Sequence, residues 1–520
     1  MTGVVTTPTF EQASAAFASG DYADTKQFCL AALERDPNQP AFLHLLALAE
    51  LRCGESAAAG AHFQQATALN PDDAKLWCNF GAAQEAMRET ALAEKSYRQA
   101  ILLRPDFADA HANLGYLLIS LNRLDEAGPH CERAAQLKPN GRAANFNLAF
   151  WHFCQHQYTK ALPYIKTAAD VSPKHAPTWY LFGQIWRDLG RFDLAGSAYL
   201  RAVELDPNQA DAALNYAIMQ LAQENYATGW HFYFQRPRGL DPADSLTPIT
   251  PGASLAGKRV LLTGDQGIGD QLFFLRFAPA LVRQGARVSC RPDPKLAPLL
   301  RRLPWVESVL APGQPFNGDF TFATADLPLM LQIQSRNEIP PPLPLTARSE
   351  LIDEMAQQLA ALGPPPYIAV TWRAGKMRKA AMNYYLFKSI TPSALGQSLS
   401  TVQGTVVIIQ RQPSKEELAD FSVALGRPAY DFSHLNDDLE RMLALLSCVS
   451  QYVTVSNTNV HLRSSLGLPS HTLVAHPPEW RWLWKGESSP WYPGTKIYRQ
   501  QANGDWDAAL QNLRADLNSN

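Results

Sequence analysis

The chain has little that would tie it to a membrane, to nucleic acid or to a disulfide scaffold. Its 520 residues hold seven scattered cysteines without a Cys-x-x-Cys pair, which favours reduced thiols in a cytoplasm. The formal net charge of -2 gives no bulk attraction to polyanions, and no apolar run is long enough to span a bilayer. The first ten residues lack the basic start and apolar stretch of a secretory signal. We therefore expect a cytoplasmic protein with no membrane span, no metal and no nucleic-acid partner.

A proline period dominates the first half of the chain. The prolines recur at steps of 34 residues, at Pro37, Pro71, Pro105, Pro139, Pro173 and Pro207. An alanine recurs at the same step, at Ala66, Ala100, Ala134, Ala168 and Ala202. A period of this length is typical of stacked helix pairs. The alanine lets the two helices of a pair cross closely, and the proline ends the second helix because it lacks an N–H.

One unit carries the repeat pattern clearly, with Leu114-Gly115 in its first helix, Ala127 and Ala134 in its second, and Pro139 at its end. This pattern resembles the tetratricopeptide repeat family. The resemblance implies an α-solenoid, a tetratricopeptide superhelix, over residues 1–238 that binds protein partners. The degenerate first repeat, from about Phe10, is expected of a terminal cap.

A row of asparagines lies two residues before the repeat glycine, interrupted by Leu181; its members are Asn79, Asn113, Asn147 and Asn215. Carboxamides both donate to and accept from a peptide backbone. The row is similar to the ladder with which O-linked N-acetylglucosamine transferases hold protein acceptors, which implies a groove for an acceptor peptide. Asparagine is also common at this position in ordinary repeats, so a purely structural role stays open.

After a Pro- and Ser-rich linker at 239–256, the pattern changes to alternating strands and helices. Apolar runs predict strands at 260–263, 286–290, 367–372, 405–410, 452–455 and 470–475. A loop with Gly267 and Gly269 follows the first strand, and a helix is expected over 271–284. The loop lacks the Gly-Lys-Ser/Thr of a P-loop, and its glycine spacing differs from the dinucleotide fingerprint. We expect two Rossmann-like lobes, at 257–350 and 351–520.

Four motifs in this half give it a family resemblance; they are Gly269-Asp270, Thr371 to Gly375, Lys388 to Pro392, and Ser456 to Leu462. Together they are similar to GT-B glycosyltransferases, most of all to the heptosyltransferase-like family (glycosyltransferase family 9), often fused to tetratricopeptide repeats. The resemblance implies an α/β GT-B fold with an acceptor lobe and a nucleotide-sugar lobe. It also implies inverting transfer that needs no metal and no cofactor besides the nucleotide-sugar co-substrate.

The resemblance also implies roles for individual residues. Asp270 maps to the catalytic base, although an aspartate here could instead be a helix N-cap. Gly267 and Gly269 would let the backbone approach the donor. Arg373 and Lys388 would meet its phosphates, and the turn with Ser456, Asn457, Thr458 and His461 would supply further donors at a helix N-terminus. Heptosyltransferases have Asp-Thr-Gly where this chain has Ser456-Asn457-Thr458, so the nucleotide and the sugar stay open.

A tryptophan-rich segment, HPPEWRWLWKGESSPWYP at 476–493, follows the last predicted strand. Aromatic faces can stack on sugar or base rings, but we favour a packed loop that closes the second lobe. Glu479 and Arg481 are candidates for holding this loop over the donor.

The sequence thus predicts a glycosyltransferase that moves a sugar from a nucleotide-sugar donor to a protein hydroxyl presented by the solenoid, for example on flagellin or another surface protein. Two alternatives remain. One is a transferase acting on lipopolysaccharide or another glycan. The other is a catalytically silent scaffold that binds protein partners through its repeats.

Overall fold

The computed structural model describes residues 9–240, 245–248, 250–374 and 388–519. It divides the chain into two compact units, one of residues up to Ile185 and one from Trp186 onward. Gly375 of the second motif and parts of the predicted linker, at 241–244 and 249, lie outside the described residues.

Fourteen helices make up the described part of the chain before the first strand. In order they are α1 (Phe10–Ser19), α2 (Tyr22–Leu33), α3 (Pro40–Arg52), α4 (Ser56–Leu69), α5 (Ala74–Ala86), α6 (Thr90–Leu103), α7 (Ala108–Ser120), α8 (Leu124–Leu137), α9 (Arg142–Cys154), α10 (Tyr158–Val171), α11 (Ala176–Asp188), α12 (Phe192–Leu205), α13 (Ala210–Ala222) and α14 (Tyr226–Tyr233). The pairs follow the predicted 34-residue period.

The small residues of the repeat are buried where helices cross. The five periodic alanines have no exposed surface. A Cβ atom built on Gly81 would lie 2.6 Å from the Tyr97 ring, and one on Gly115 would lie 2.6 Å from the Cys131 sulfur. The spacing of small residues therefore follows from how closely the two helices of each pair approach.

The first parallel sheet has four strands, β1 (Arg259–Thr263), β2 (Arg287–Arg291), β3 (Val306–Val309) and β4 (Phe320–Ala323), in the order β3-β2-β1-β4. Its helices are α15 (Ile268–Leu275), α16 (Ala278–Arg283), α17 (Ala297–Arg301) and α18 (Leu327–Met330). The single helix predicted over 271–284 is therefore wrong in two respects. It begins earlier, at Ile268, and it is divided at Arg276 and Phe277 before Pro279, whose ring cannot continue a helix.

The second parallel sheet has six strands, β5 (Tyr367–Thr371), β6 (Thr405–Ile408), β7 (Ala429–Asp431), β8 (Gln451–Val455), β9 (His471–Val474) and β10 (Lys496–Arg499), in the order β10-β9-β8-β5-β6-β7. Its helices are α19 (Ser349–Leu362), α20 (Pro392–Leu399), α21 (Lys415–Leu425), α22 (Leu439–Cys448), α23 (Thr458–Ser465) and α24 (Asp507–Asn518). Counted from β5, this is the 3-2-1-4-5-6 order of doubly wound nucleotide-binding sheets. Successive strands are added on one side of β5 as far as β7 and on the other side from β8 onward, and ligands bind at the point between β5 and β8 where this order reverses.

One apolar core joins the end of the solenoid to both sheets. It runs from Tyr226 and Trp230 of α14 through Phe273 and Phe274 of α15 to Trp491. The Trp230 ring meets Trp480 edge to face at 5.5 Å, and it meets Trp491 at 6.1 Å. The last helices of the solenoid and the two sheets therefore form a continuous body. No helix among the described residues is both long and apolar enough to cross a membrane.

Candidate functional site

Asp270 lies in the first turn of α15, directly after the glycine loop that follows β1. The cap position of this helix is Gly267, so the N-cap interpretation of Asp270 is wrong. The Asp270 carboxylate instead accepts a hydrogen bond at 2.5 Å from the guanidinium of Arg481, which lies after β9 of the second sheet. Its second oxygen has no hydrogen-bond partner among the described residues, and the side chain is 32% exposed. Asp270 is thus oriented by a cation while one oxygen stays available.

The Arg481 guanidinium packs against the faces of aromatic rings. It is 4.4 Å from the centre of the Phe273 ring and 4.7 Å from that of Trp480. Burial disfavours its charge, but Asp270 together with the Tyr492 and Tyr233 hydroxyls more than offsets this, so the pKa of Arg481 is raised above its ordinary value. The charge pair between Asp270 and Arg481 is therefore a direct link between the segment after β1 of the first sheet and the segment after β9 of the second.

Glu479, two residues before Arg481, joins two predicted donor-site residues. Ser456, at the carboxyl end of β8, donates to one Glu479 oxygen at 2.7 Å. The Lys388 ammonium forms an ion pair with the other oxygen. Burial lowers the pKa of Lys388 to about 8, with Asp270 raising it and Arg481 lowering it further. Glu479 thus brings Lys388 and Ser456 together, and Arg481, two residues further on, pairs with Asp270.

Helix α23 begins just after β8, at the carboxyl edge of the second sheet, and Asn457 is the N-cap residue of this helix. The Asn457 side-chain oxygen accepts from the N–H groups of Asn459 and Val460 at 2.9 and 3.3 Å, and from the Tyr452 hydroxyl at 3.1 Å. Its amide donates to Thr454 at 2.9 Å. The side chain of Asn457 is therefore used within the protein, whereas Thr458 opens the helix.

His461 lies on α23 where that helix meets α15. A Cβ atom on Gly269 would approach the imidazole to 3.0 Å, so only glycine fits there without displacing the ring. The Tyr492 hydroxyl lies 3.1 Å from the His461 Nδ1. Burial holds the pKa of His461 well below its usual range, and three neighbouring cations lower it further. His461 is a neutral packing residue at the contact between α15 and α23.

Arg373 does not join this cluster in the contacts that the structure describes. Its guanidinium donates to the Glu417 carboxylate at 2.6 and 2.9 Å and to the Gln412 carbonyl at 2.8 Å. The Arg373 hydrogen bonds are the largest cause that lowers the pKa of Glu417 to about 2. The expectation that Arg373 faces the donor was drawn from its place after β5, and the ion pair shows its side chain turned toward α21 instead.

The space beside Lys388 and Ser456 is small. A cavity of about 10 Å³ is lined by these two residues with Glu479, Pro477 and Trp482, among others, and this is room for about one water molecule. The Trp482 indole N–H is buried and has no hydrogen-bond partner among the described residues. Trp480, Trp482 and Trp491 are at most 4% exposed, in keeping with the packed loop that we favoured.

The asparagine row makes contacts within the protein. Asn147 is buried and donates to the Ala112 carbonyl at 2.7 Å, 35 residues earlier. Asn79 lies 2.8 Å from His44, and Asn113 donates to the Cys78 sulfur at 3.5 Å. Asn215 donates to the Asp211 carbonyl at 2.8 Å and accepts from Arg187. All four therefore connect consecutive first helices of the solenoid, as the structural alternative predicts.

A buried charge cluster lies at the carboxyl edge of the first sheet, and sequence reasoning missed it. Arg236, just after α14, donates to Asp265 at 3.0 Å and to Asp326 at 2.6 Å. These aspartates follow β1 and β4 respectively, and all three residues are at most 5% exposed. The available signal was an acidic residue just after each of two strands, together with the arginines of QRPR at 235–238. The cluster anchors the end of the solenoid to this sheet.

The comparisons with known proteins identify the repeats. The tetratricopeptide repeat family matches residues 10–74, 79–142 and 188–228, and the family "Anaphase-promoting complex, cyclosome, subunit 3" matches residues 120–202. The part of the chain between residues 10 and 228 is a tetratricopeptide-repeat solenoid.

Similar proteins also occur among curated sequences and solved structures. Protein FlbA of Caulobacter vibrioides is 25% identical over 367 residues, which is 64% of this chain and 59% of FlbA. The chain therefore matches somewhat more than half the length of that relative. Among solved structures, Pseudomonas aeruginosa PilF is 20% identical, with a TM-score of 0.36 over 41% of this chain and 94% of PilF. The Cut9–Hcn1 hetero-tetramer of the APC/C is 17% identical, with a TM-score of 0.41 over 44% of this chain and 45% of that one.

Proposed function

We propose that this protein is a nucleotide-sugar-dependent glycosyltransferase of the GT-B type, with a protein acceptor presented by its repeats. The observation that carries the proposal is that one turn pairs with Asp270, from the first lobe, through Arg481 and with Lys388 and Ser456, from the second, through Glu479. Asp270 follows β1 and Ser456 follows β8, so this turn links the carboxyl ends of the two parallel sheets. The second sheet has the order of a nucleotide-binding sheet, and this edge is where such sheets bind their ligands.

Each residue has a task that its contacts suit. Sugar transfer needs a base for the acceptor hydroxyl and a cation for the leaving diphosphate. The free oxygen of Asp270 is the proposed base, and Arg481 orients that carboxylate. Lys388 and the amino end of α23 are the proposed partners of the phosphates. Gly269 lets the two lobes approach at this point, and the Arg373 guanidinium pairs with Glu417 of α21.

The proposal includes a cytoplasmic location and the predicted domain boundaries. All seven cysteines are free thiols, which suits a reducing compartment. The strands of the two sheets fall between 259 and 323 and between 367 and 499, inside the proposed lobes at 257–350 and 351–520.

The test offers the protein a panel of UDP-, GDP-, ADP-, CMP- and dTDP-sugars and a protein acceptor. Sugar transfer is measured as release of the nucleotide and as an increase in the intact mass of the acceptor. Asp270→Asn keeps an oxygen for Arg481 but removes the base, so we expect transfer to fall by about 100-fold or more while donor affinity is retained. Asp420→Asn, an exposed carboxylate on α21, is the matched control. Equal transfer by wild type and Asp270→Asn would reject Asp270 as the base.

The second candidate is a silent scaffold. It is favoured by the small cavity at the cluster and by the fact that Lys388 and Asp270 already have partners of opposite charge. A scaffold would bind protein partners through the solenoid with no transfer from any donor in the panel. Nucleotide release by the wild type that is lost in Asp270→Asn would exclude it.

A further inference from the structure

One short turn carries an acidic and a basic residue, and each forms an ion pair with a residue to which the proposed function gives a role. Glu479 and Arg481 are two residues apart, immediately before and within the turn at Trp480–Trp482. Glu479 pairs with Lys388, and Arg481 pairs with Asp270. The loop after β9 thus neutralises both the proposed phosphate-binding cation and the proposed base.

The Glu479 carboxylate has the contacts that a phosphate would make. One of its oxygens takes the Lys388 ammonium and the other accepts from the Ser456 hydroxyl at 2.7 Å. Both are donors that suit any anionic oxygen. Trp482 lines the same cavity and has a buried indole N–H without a partner among the described residues. The site therefore has one more hydrogen-bond donor than the Glu479 carboxylate uses.

A phosphate group does not fit while Glu479 stays in place. The remaining cavity is about 10 Å³, enough for about one water, and a phosphate has five heavy atoms. Lys388 is partly buried, so leaving it without an anion is costly. Exchange of one anion for another avoids that cost, because the lysine keeps a partner throughout.

We propose that Glu479 is an internal anion that occupies the phosphate position of this site and must be displaced before a diphosphate-bearing ligand binds. The inference rests on the proposed function, in that Lys388 and Ser456 are taken as phosphate contacts. Its consequence is a lowered affinity, because ligand binds only to the fraction of molecules in which the carboxylate has left.

The test measures binding of inorganic pyrophosphate by calorimetry to full-length protein. Glu479→Gln keeps an oxygen for Ser456 and nearly the same shape but loses the charge. We expect it to bind pyrophosphate about tenfold more tightly than wild type. Glu487→Gln, an exposed carboxylate in the same segment, removes the same charge and is expected to bind as wild type does. Adding Lys388→Met to Glu479→Gln is expected to abolish the binding.

A gain of less than threefold, or no pyrophosphate binding by Glu479→Gln, overturns the proposal. A gain that survives Lys388→Met, or that Glu487→Gln reproduces, also overturns it. Circular dichroism and the thermal midpoint establish that each variant is folded. Should Glu479→Gln fail to fold, Glu479→Ala is judged by the same threshold.

The two proposals fail in different ways. Tighter pyrophosphate binding without sugar transfer from any donor keeps the internal anion and rejects the enzyme. Sugar transfer by wild type with no gain in Glu479→Gln keeps the enzyme and rejects the internal anion.

Discussion

The carboxyl edges of the two parallel sheets differ in what fills them. At the first edge, Arg236 from the end of the solenoid lies between Asp265 and Asp326, and the three are almost fully buried. At the second edge, Lys388, Ser456 and Glu479 meet beside a small cavity, and the Lys388 side chain is 27% exposed. Both sheets share the strand order around their first strand. The same topological position therefore serves as a structural junction in one sheet and as a candidate ligand site in the other.

The difference shows that the point where the strand order reverses provides a crevice at the carboxyl edge of a sheet, but does not determine which groups fill that crevice. Two inward carboxylates at the first edge are matched by a permanent cation from the chain itself. At the second edge the charges are matched by a turn whose side chains retain some exposure. Four predictions test this contrast, and the largest effect is expected at the first edge.

Replacing Arg236 with Met should cost about 3 to 5 kcal/mol of unfolding free energy, because buried Asp265 loses its cation and buried Asp326 keeps only the longer contact with Arg238. Urea denaturation followed by circular dichroism measures the loss. Arg287→Met is the control, since Arg287 forms an ion pair with Glu307 on the same sheet but is 61% exposed; it should cost at most about 1 kcal/mol. Equal losses in the two variants would mean that the first edge is no junction.

Gly269→Ala tests the contact between α15 and α23, where the second edge meets the first lobe. The added methyl would lie 3.0 Å from His461, which Tyr492 holds in place. We expect a loss of about 1 to 3 kcal/mol, as for other overpacked sites. Gly196→Ala is the control, because its new methyl would meet only Met219 at 3.7 Å. It should be neutral or stabilising, and a stabilising Gly269→Ala would contradict the close approach.

The pH dependence of pyrophosphate binding tests whether Lys388 is the cation of the second edge. Its pKa is lowered to about 8, so the ammonium is charged below that pH and becomes neutral as the pH rises through it. Binding to Glu479→Gln should therefore weaken as the pH rises through the pKa of Lys388 in that variant, approaching about tenfold per pH unit above it. Lys388→Arg stays charged and should remove this dependence. The same decline in Lys388→Arg would assign it to another group.

Tyr452→Phe tests how much the hydrogen bonds between uncharged groups at the second edge contribute to the stability of the protein. The Tyr452 hydroxyl accepts from Thr454 at 3.0 Å and donates to Asn457 at 3.1 Å, and the ring is fully buried. Losing neutral hydrogen bonds should cost about 1 kcal/mol, well below the loss in Arg236→Met. Thermal unfolding measures the difference. A loss as large as that in Arg236→Met would make the second edge a structural junction too.

Much of the fold could be predicted from local patterns. The 34-residue period predicted the helix pairs, because each repeat buries the same small residues. Apolar runs predicted six of the strands to within about two residues at either end, because a strand covered on both faces reads as a continuous apolar run. The short strands β3, β4, β7 and β10 were missed. β3 has no fully buried residue, and β7 has only three residues in all.

The candidate site was predicted in part. Lys388 and Ser456 meet at Glu479 and Asp270 pairs with Arg481, and Glu479 and Arg481 were noted only as residues that could hold a loop. Arg373 follows a buried strand as Ser456 does, yet its long side chain reaches Glu417 of another helix. Strand ends show where a residue starts, whereas the direction of a long side chain depends on the charges that the fold places around it.

The amino-acid sequence alone determined the repeat architecture, the alternation of strands and helices, and the polar residues at strand ends. These properties depend on spacing and on the burial of each segment. Only the tertiary structure decided which charges meet. Arg236 reaches Asp326 across 90 residues and Arg481 reaches Asp270 across 211. No local pattern encodes such pairs, because they form only when distant segments share one desolvated space and each charge needs a partner there.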